Sequence, residues 1–238
     1  MLGEIASIGT VGLAAGGAYY AAMWPQSQLY GRTLIAGGDP NEIALTYDDG
    51  PNDAHTGALL EVLAKYNVRA TFFMMGSRVR QSPELARQVL AAGHCIGNHT
   101  VTHPKLVWVS ASQAWSELAE CNTILADTLG IAPEFFRPPF GARRPGVLRV
   151  AGALGMTPVM WNVTSHDWEM PSPEALCARI EKGIRRNIHL GRGSNVLMHD
   201  GGHLTMNTDR SSTVKATELL LQKYTGSEIQ FVTPEQWI

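Results

Sequence analysis

The sequence predicts an α/β fold on a parallel sheet, either open and doubly wound or closed into a barrel. Two observations predict it. Strand-like and helix-like runs alternate from residue 42 to the C-terminus, and nearly every polar residue suited to chemistry stands where a strand-like run ends. In parallel α/β folds the C-terminal strand ends all lie on one side, so residues far apart in the chain converge there.

Strand-like runs occur near 42–47, 70–74, 95–98, 134–137, 156–161, 194–199 and 228–232, with helix-like segments near 54–66, 83–92, 111–129, 145–154, 173–187 and 207–224. The first strand, Ile43-Ala44-Leu45-Thr46-Tyr47, is rich in β-favouring residues and is stopped by Gly50-Pro51 after two carboxylates, Asp48 and Asp49. Ser82-Pro83-Glu84 and Ser172-Pro173-Glu174 each supply an N-cap serine, a proline at the first helical position and an acid in the first turn. Gly93, Gly130 and Gly155 follow helical runs, where a left-handed residue closes a helix.

A chain of 238 residues with 45% hydrophobic composition can bury one sizeable core, and one domain is the expectation. A formal net charge of −2 leaves no basic footprint for nucleic acid. Cys95, Cys121 and Cys177 are odd in number and lack CxxC spacing, which argues against a disulfide framework or a cysteine-built zinc site. From Ile5 to Trp24 no side chain is charged, a length that just crosses a bilayer, although four glycines dilute it and Glu4 stands where a signal peptide carries Lys or Arg. Residues 1–24 are therefore expected to be an uncleaved membrane anchor, with a helix packed on the globular domain as the alternative. Residues 25–41 read as a linker and 42–238 as the globular domain.

Asp48 and Asp49 point in different directions at a strand end, so they can hold different tasks in one cleft. In Gly97-Asn98-His99-Thr100-Val101-Thr102-His103-Pro104, Pro104 disfavours a helix at His103 and predicts a compact loop bearing two imidazoles. With Asp49 they form a two-His, one-carboxylate set that suits a hydrolytic Zn²⁺ and equally a non-haem Fe(II). In Phe135-Phe136-Arg137-Pro138-Pro139-Phe140-Gly141 a stiff proline pair holds Arg137, whose planar guanidinium can pair with Asp48 and fix its orientation. The backbone N–H of Phe140 is the first donor after the prolines. In Trp161-Asn162-Val163-Thr164-Ser165-His166-Asp167-Trp168, Trp161 reads as core and Trp168 as a wall for a sugar ring. In Asn195-Val196-Leu197-Met198-His199-Asp200-Gly201-Gly202, His199 is a candidate general acid whose ring Asp167 would hold and whose pKa it would raise.

These five motifs, in this order over residues 40–238, resemble the polysaccharide deacetylase family, the NodB-like members of carbohydrate esterase family 4. The resemblance implies a distorted (β/α)7-type barrel. It implies that Asp48 is the catalytic base, that Asp49, His99 and His103 hold a divalent metal, usually zinc, and that Arg137 tethers the base. It further implies that the Phe140 N–H helps bind the oxyanion, that Asp167 supports the acid His199, and that Trp168 and Leu197 shape an acetyl pocket. Tyr47 stands where the family often has Phe and is expected to serve as an aromatic wall of the substrate site. Thr164 and Cys95 depart from the pattern at positions where many members carry an acid.

The implied reaction is metal-assisted hydrolysis of the N-acetyl group of an amino sugar, with release of acetate. Peptidoglycan, chitooligosaccharide, exopolysaccharide and O-acetylated xylan are all substrates such a site could take. An anchor at residues 1–24 would place the protein at the cell envelope and favour an envelope glycan. A carbohydrate-binding barrel without turnover, and a non-haem iron oxygenase, are the alternatives from other classes.

Overall fold

The computed structural model describes residues 16–238. The sheet strands are β1 (Glu42–Asp48), β2 (Thr71–Met74), β3 (Cys95–Asn98), β4 (Phe135–Phe136), β5 (Thr157–Pro158), β6 (Val163–Thr164), β7 (Ser194–His199) and β8 (Gln230–Val232). The helices are α1 (Thr56–Lys65), α2 (Gly76–Gln81), α3 (Pro83–Ala91), α4 (Ala111–Leu129), α5 (Pro145–Ala153), α6 (Pro173–His189) and α7 (Ser211–Tyr224). Every strand pairing is parallel, in the order β5-β4-β3-β2-β1-β7-β6, with β8 added on β1.

Of the expected run 156–161 only Thr157–Pro158 is a strand, β5; the next strand, β6, begins beyond the run at Val163, and the two stand at opposite ends of that order. Pro158 and Val163 are five residues apart, which a chain spans over no more than about 17 Å. The sheet therefore curls until its two ends meet across residues 159–162, which makes it a distorted barrel rather than an open sheet. Inside the curl, Leu34 bridges to Val159 and accepts the Met160 N–H at 2.7 Å.

Alternation along the strands separates two cores. Ile43, Leu45 and Tyr47 of β1, Phe72 and Met74 of β2, and Val196 and Met198 of β7 face outward into the main core with Leu59, Leu63, Ile124, Ile180 and Leu220 from the helices. Their neighbours face inward, as the period of two requires, where Phe73, Phe135 and Val159 fill one layer and Met160, Trp161 and Leu197 another. Full burial of a residue such as Leu45 is worth about 1.5–3 kcal/mol. Tyr47 is thus a core residue of the outer face: its ring stacks on Phe72 at 5.3 Å and its hydroxyl meets Thr217 Oγ1 at 2.9 Å. It does not line the substrate site, contrary to expectation, because it and Asp48 must point to opposite faces.

Helix ends follow the sequence signals with one exception. Ser172 accepts the Ala175 N–H, and Gly130 closes α4 at φ 71. Ser82 makes no cap; its hydroxyl donates to Asp53 instead. The three cysteines are buried and free.

Of the expected anchor, residues 1–15 lie outside the described residues. Residues 16–23 are helical, and among the described residues no helix is long and apolar enough to cross a membrane. The end of this helix and the stretch after it are held to the barrel: the N–H of buried Arg143 donates to the Ala22 carbonyl at 3.0 Å, and its side chain donates to the carbonyls of Trp24 at 2.8 Å and Ser27 at 2.7 Å.

Candidate active site

The C-terminal strand ends surround a cavity of about 350 Å³ lined by Asp48, Asp49, His99, His103, Phe140, Trp161, Trp168, Leu197, His199, His203 and Arg210. Asp48 ends β1 in register with His199 on β7 and Phe73 on β2, so the barrel itself sets the spacing across the cleft.

Arg137 is fully buried and organises the floor. Its Nη1 donates to Asp48 Oδ1 and to Thr46 Oγ1, both at 2.8 Å, and Nε donates to the Val159 carbonyl at 3.3 Å. Phe73 lies under the guanidinium at 4.1 Å and Trp161 beside it at 5.6 Å. Burial draws the Arg137 pKa down and Asp48 opposes that, so charge and countercharge are set inside the barrel as a pair. One Asp48 oxygen is thereby taken. The other, Oδ2, lies 3.8 Å from His99 Nε2 on the cleft side.

Asp49 turns away at φ 73 into different company. Its Oδ1 lies 3.4 Å from His99 Nε2 and 3.2 Å from His103 Nε2, is buried, and has no hydrogen-bond partner among the described residues. His99 Nδ1 lies 2.8 Å from the Arg137 carbonyl; a carbonyl only accepts, so Nδ1 carries a proton and Nε2 is the ring nitrogen turned to Asp49. Ligands bound tetrahedrally about 2.0–2.1 Å from zinc stand about 3.3 Å apart, which the two Asp49 contacts match. An orphaned buried oxygen facing two imidazole nitrogens fits a cation, and Asp49, His99 and His103 are the residues that could hold one. Burial raises the Asp49 pKa, but the three imidazoles beside it, those of His103, His203 and His99, hold it well below the usual carboxylate range.

The His99–His103 segment is the compact loop expected. Thr100 and His103 take positive φ, 67° and 63°, a conformation costing non-glycine residues about 1–3 kcal/mol each. Side chains hold it: Asn98 Oδ1 accepts the Thr100 N–H at 2.7 Å, Thr100 Oγ1 accepts the His103 N–H at 3.0 Å, and Glu117 accepts the N–H groups of Val101 and Thr102.

Across the cleft, Asp167 is buried and nearly saturated. Its Oδ1 meets His199 Nδ1 at 2.8 Å, and Oδ2 accepts the His199 N–H at 2.7 Å and the Thr213 hydroxyl at 3.0 Å. Burial pushes the His199 pKa down, but the adjacent Asp167 charge and hydrogen bond, with Asp49 and Asp48 further off, raise it to about 9. Burial likewise raises Asp167, and His199 outweighs it, so the carboxylate titrates below its ordinary range. The ring is a cation at neutral pH whose Nε2, opposite the Asp167 bond, is left for the cleft.

Leu197 is buried on the wall, and Trp168 stands half exposed, edge-on to His199 at 5.6 Å. Phe140, at φ 58, places its ring edge against His103 at 4.6 Å. Of the expected site residues, Arg137 and Asp167 lie behind the cleft against Asp48 and His199, Tyr47 lies on the outer face, and the rest line the cleft. Three lining residues were not expected there. Trp161 is both core and wall, its indole N–H donating to Thr164 Oγ1 at 3.0 Å, which gives Thr164 a part in setting the wall. Arg210 and His203 come from the loop after β7, where the only sequence signal was a histidine following two glycines.

The sequence model of the family described as polysaccharide deacetylase matches residues 36–159. The chain is 37% identical over 167 residues to a chitooligosaccharide deacetylase of Rhizobium leguminosarum bv. trifolii, an alignment covering 70% of this chain and 74% of that one. It is 32% identical over 194 residues to the peptidoglycan-N-acetylglucosamine deacetylase PgdA of Listeria monocytogenes serotype 1/2a, covering 82% of this chain and 38% of that longer one. Among solved structures, that of a peptidoglycan N-acetylglucosamine deacetylase matches with a TM-score of 0.76 at 28% identity, over 87% of this chain and 92% of that one. A CE4 family pseudoenzyme from Bacillus anthracis gives the same TM-score, 0.76, at 26% identity, over 87% of this chain and 68% of that one. Backbone likeness thus extends to a pseudoenzyme, and the residues in the cleft have to carry any argument for turnover.

Proposed function

Because the chain belongs to the polysaccharide deacetylase family, we propose that it is a metal-dependent N-deacetylase that removes the acetyl group from amino sugars of an envelope glycan or chitooligosaccharide and releases acetate. One observation carries the reading. Two adjacent carboxylates are held in different surroundings, Asp48 by a buried guanidinium and Asp49 by imidazoles around an oxygen that lacks a donor. That division suits one base and one ligand.

A divalent cation on Asp49, His99 and His103, zinc in our reading, would supply Lewis acidity to an attacking water and to the acetyl carbonyl. Asp48, fixed through Oδ1 by Arg137, uses its cleft-side Oδ2 to take a proton from that water as the new C–O bond forms. The Phe140 N–H donates to the carbonyl oxygen as charge develops on it; one such donor is worth about 3–4 kcal/mol in other hydrolases. Leu197 and Trp168 enclose the methyl group and exclude water from it. His199, held by Asp167, gives its Nε2 proton to the sugar nitrogen as the C–N bond breaks, so acetate and a free amine leave.

The test is acetate release from peptidoglycan, chitooligosaccharide and acetyl-xylan before and after dipicolinate treatment. The reading expects release from an N-acetylated glycan, loss with the chelator, and recovery with Zn²⁺ or Co²⁺. Full release in excess chelator would overturn it, release from acetyl-xylan alone would make it an O-acetyl esterase, and tight glycan binding without release would make it a binding barrel.

A further inference from the structure

His203 lies in the loop between β7 and α7, and the proposed reaction uses it nowhere. Its Nδ1 is 3.6 Å from Asp49 Oδ2, its ring stacks on His103 at 4.4 Å with 22° between planes, and it meets the Phe140 ring edge-on at 5.3 Å. The two Asp49 oxygens therefore have separate surroundings: Oδ1 faces His99 and His103, and Oδ2 faces His203.

The loop is built to hold the imidazole there. Buried Arg78 donates through Nη2 to the Gly202 carbonyl at 2.8 Å and the His203 carbonyl at 3.4 Å, and Arg210 donates through Nε to the Gly201 carbonyl at 2.7 Å. A Cβ on Gly201 would stand 2.2 Å from the Asp49 carbonyl oxygen, and one on Gly202 would stand 2.0 Å from Thr208 Oγ1, so only glycine lets the loop approach this closely. Farther along, Asn52 Nδ2 donates to the Thr208 carbonyl at 2.9 Å. Two arginines and two glycines thus fix the backbone up to one partly exposed histidine, and Asn52 holds the loop beyond it.

We propose that His203 is a positioning residue for the cation site: its Nδ1–H closes onto Asp49 Oδ2, leaves Oδ1 as the single oxygen that Asp49 offers, and braces the His103 ring. Histidine does this because it joins a donor to a flat face. A carboxylate held by a donor on one oxygen binds a metal through the other with defined direction, and such outer partners are worth about 10–100-fold in affinity or activity. The inference rests on Asp49, His99 and His103 being the cation site.

The experiment measures Co²⁺ binding to the metal-free full-length protein, by competition with a chelating indicator and by visible absorption of the bound ion. His203→Leu and His203→Asn have similar shapes, but only Asn keeps a donor. Leu should weaken Co²⁺ binding about 10–100-fold and alter the absorption spectrum, while Asn should stay within about threefold of the parent with its spectrum. If the Leu variant does not fold, His203→Phe, which keeps the stacked ring without the N–H, takes its place against Asn. Equal affinity and identical spectra across the donor and non-donor variants overturn the inference and leave the cation site standing. A parent protein that binds no Co²⁺ removes the cation site itself, and the inference with it.

Discussion

The barrel has a cavity at each end, and the two are made of similar residues. At the N-terminal strand ends a pocket of about 170 Å³ is lined by His94, Cys95, Glu134, Phe135 and Glu235, among others. His94 Nδ1 accepts the Ala70 N–H at 3.2 Å, and burial, helped by the Arg69 charge, pushes its pKa down to about 4, so it is neutral at pH 7. Burial pushes the Cys95 thiol up to about 12, and Glu235 is engaged by Arg69 and the Thr233 hydroxyl. In the other cavity Arg137 stands against Asp48 and Asp167 against His199, three imidazoles face Asp49, and among the described residues Asp49 Oδ1 has no donor. Histidines and acids in a buried pocket do not make a reactive site. Lone pairs left unspent, and charges opposed in pairs, distinguish the cleft from its mirror.

The largest break in that contrast comes from removing the acid. His199→Ala should lower turnover about 10²–10⁴-fold while metal content stays at the parent level. With a folded pKa of about 9, His199 is the required acid below that pH, so parental activity should fall as pH rises through about 9. Asp167→Asn removes the charge that raises it and turns one of the two acceptor oxygens into an amide donor, so the alkaline limb should move to lower pH. A limb that stays in place would remove His199 from the acid role.

Arg137→Met should destabilise the fold by about 3–5 kcal/mol, because Asp48 is left buried without its countercharge. The urea midpoint measures this; a shift under a third of that size would mean the pair is not structurally coupled.

At the lower end the effect has another sign. The folded pKa of His94 lies below its unfolded value of 6.5, so the unfolded chain binds more protons and stability falls as pH drops from 6.5 toward 4, by about 3 kcal/mol at most. His94→Gln, which keeps an acceptor for Ala70, should flatten that loss and leave turnover unchanged. Unfolding midpoints at pH 7 and 4.5 test both claims. Smallest of all, Tyr47→Phe should cost about 1 kcal/mol for the Thr217 hydrogen bond and leave kcat and KM at parental values, as its place on the outer face requires. A changed KM would return Tyr47 to the cleft.

The strands were legible because β1, β2 and β7 carry buried residues on both faces and end in polar punctuation. The alternation that sends Asp48 inward also sends Tyr47 outward, so the period of two in β1 already places Tyr47 on the outer face, whatever aromatic wall the family resemblance implies there. Helix α2, GSRVRQ, was missed because it is six residues long, starts with glycine and has no apolar stripe. The shortness of β5 and the separate strand β6 were not legible, since the tertiary closure of the curl, and not the apolar pattern, makes residues 159–162 cross between opposite edges. Asp48, Asp49, His99, His103, Arg137, Asp167 and His199 could be found because strand ends in parallel sheets share a side. His203 could not, because its loop is fixed by Arg78 and by the close approach of Gly201 to Asp49, both distant in the chain, together with Arg210 and Thr208 of the same loop.

The central claim is that Asp48 and Asp49, chemically identical neighbours, do different work. It is tested most directly by measuring zinc stoichiometry and acetate release for Asp48→Asn and Asp49→Asn side by side. Asp48→Asn removes the base and no ligand, so zinc should remain near the parental level while turnover falls by about 10²–10⁴. Asp49→Asn should lose affinity for zinc, because a neutral amide oxygen is the poorer ligand, and excess metal should restore part of its activity. If Asp48→Asn loses the metal and Asp49→Asn keeps it, the two carboxylates have been assigned the wrong way round.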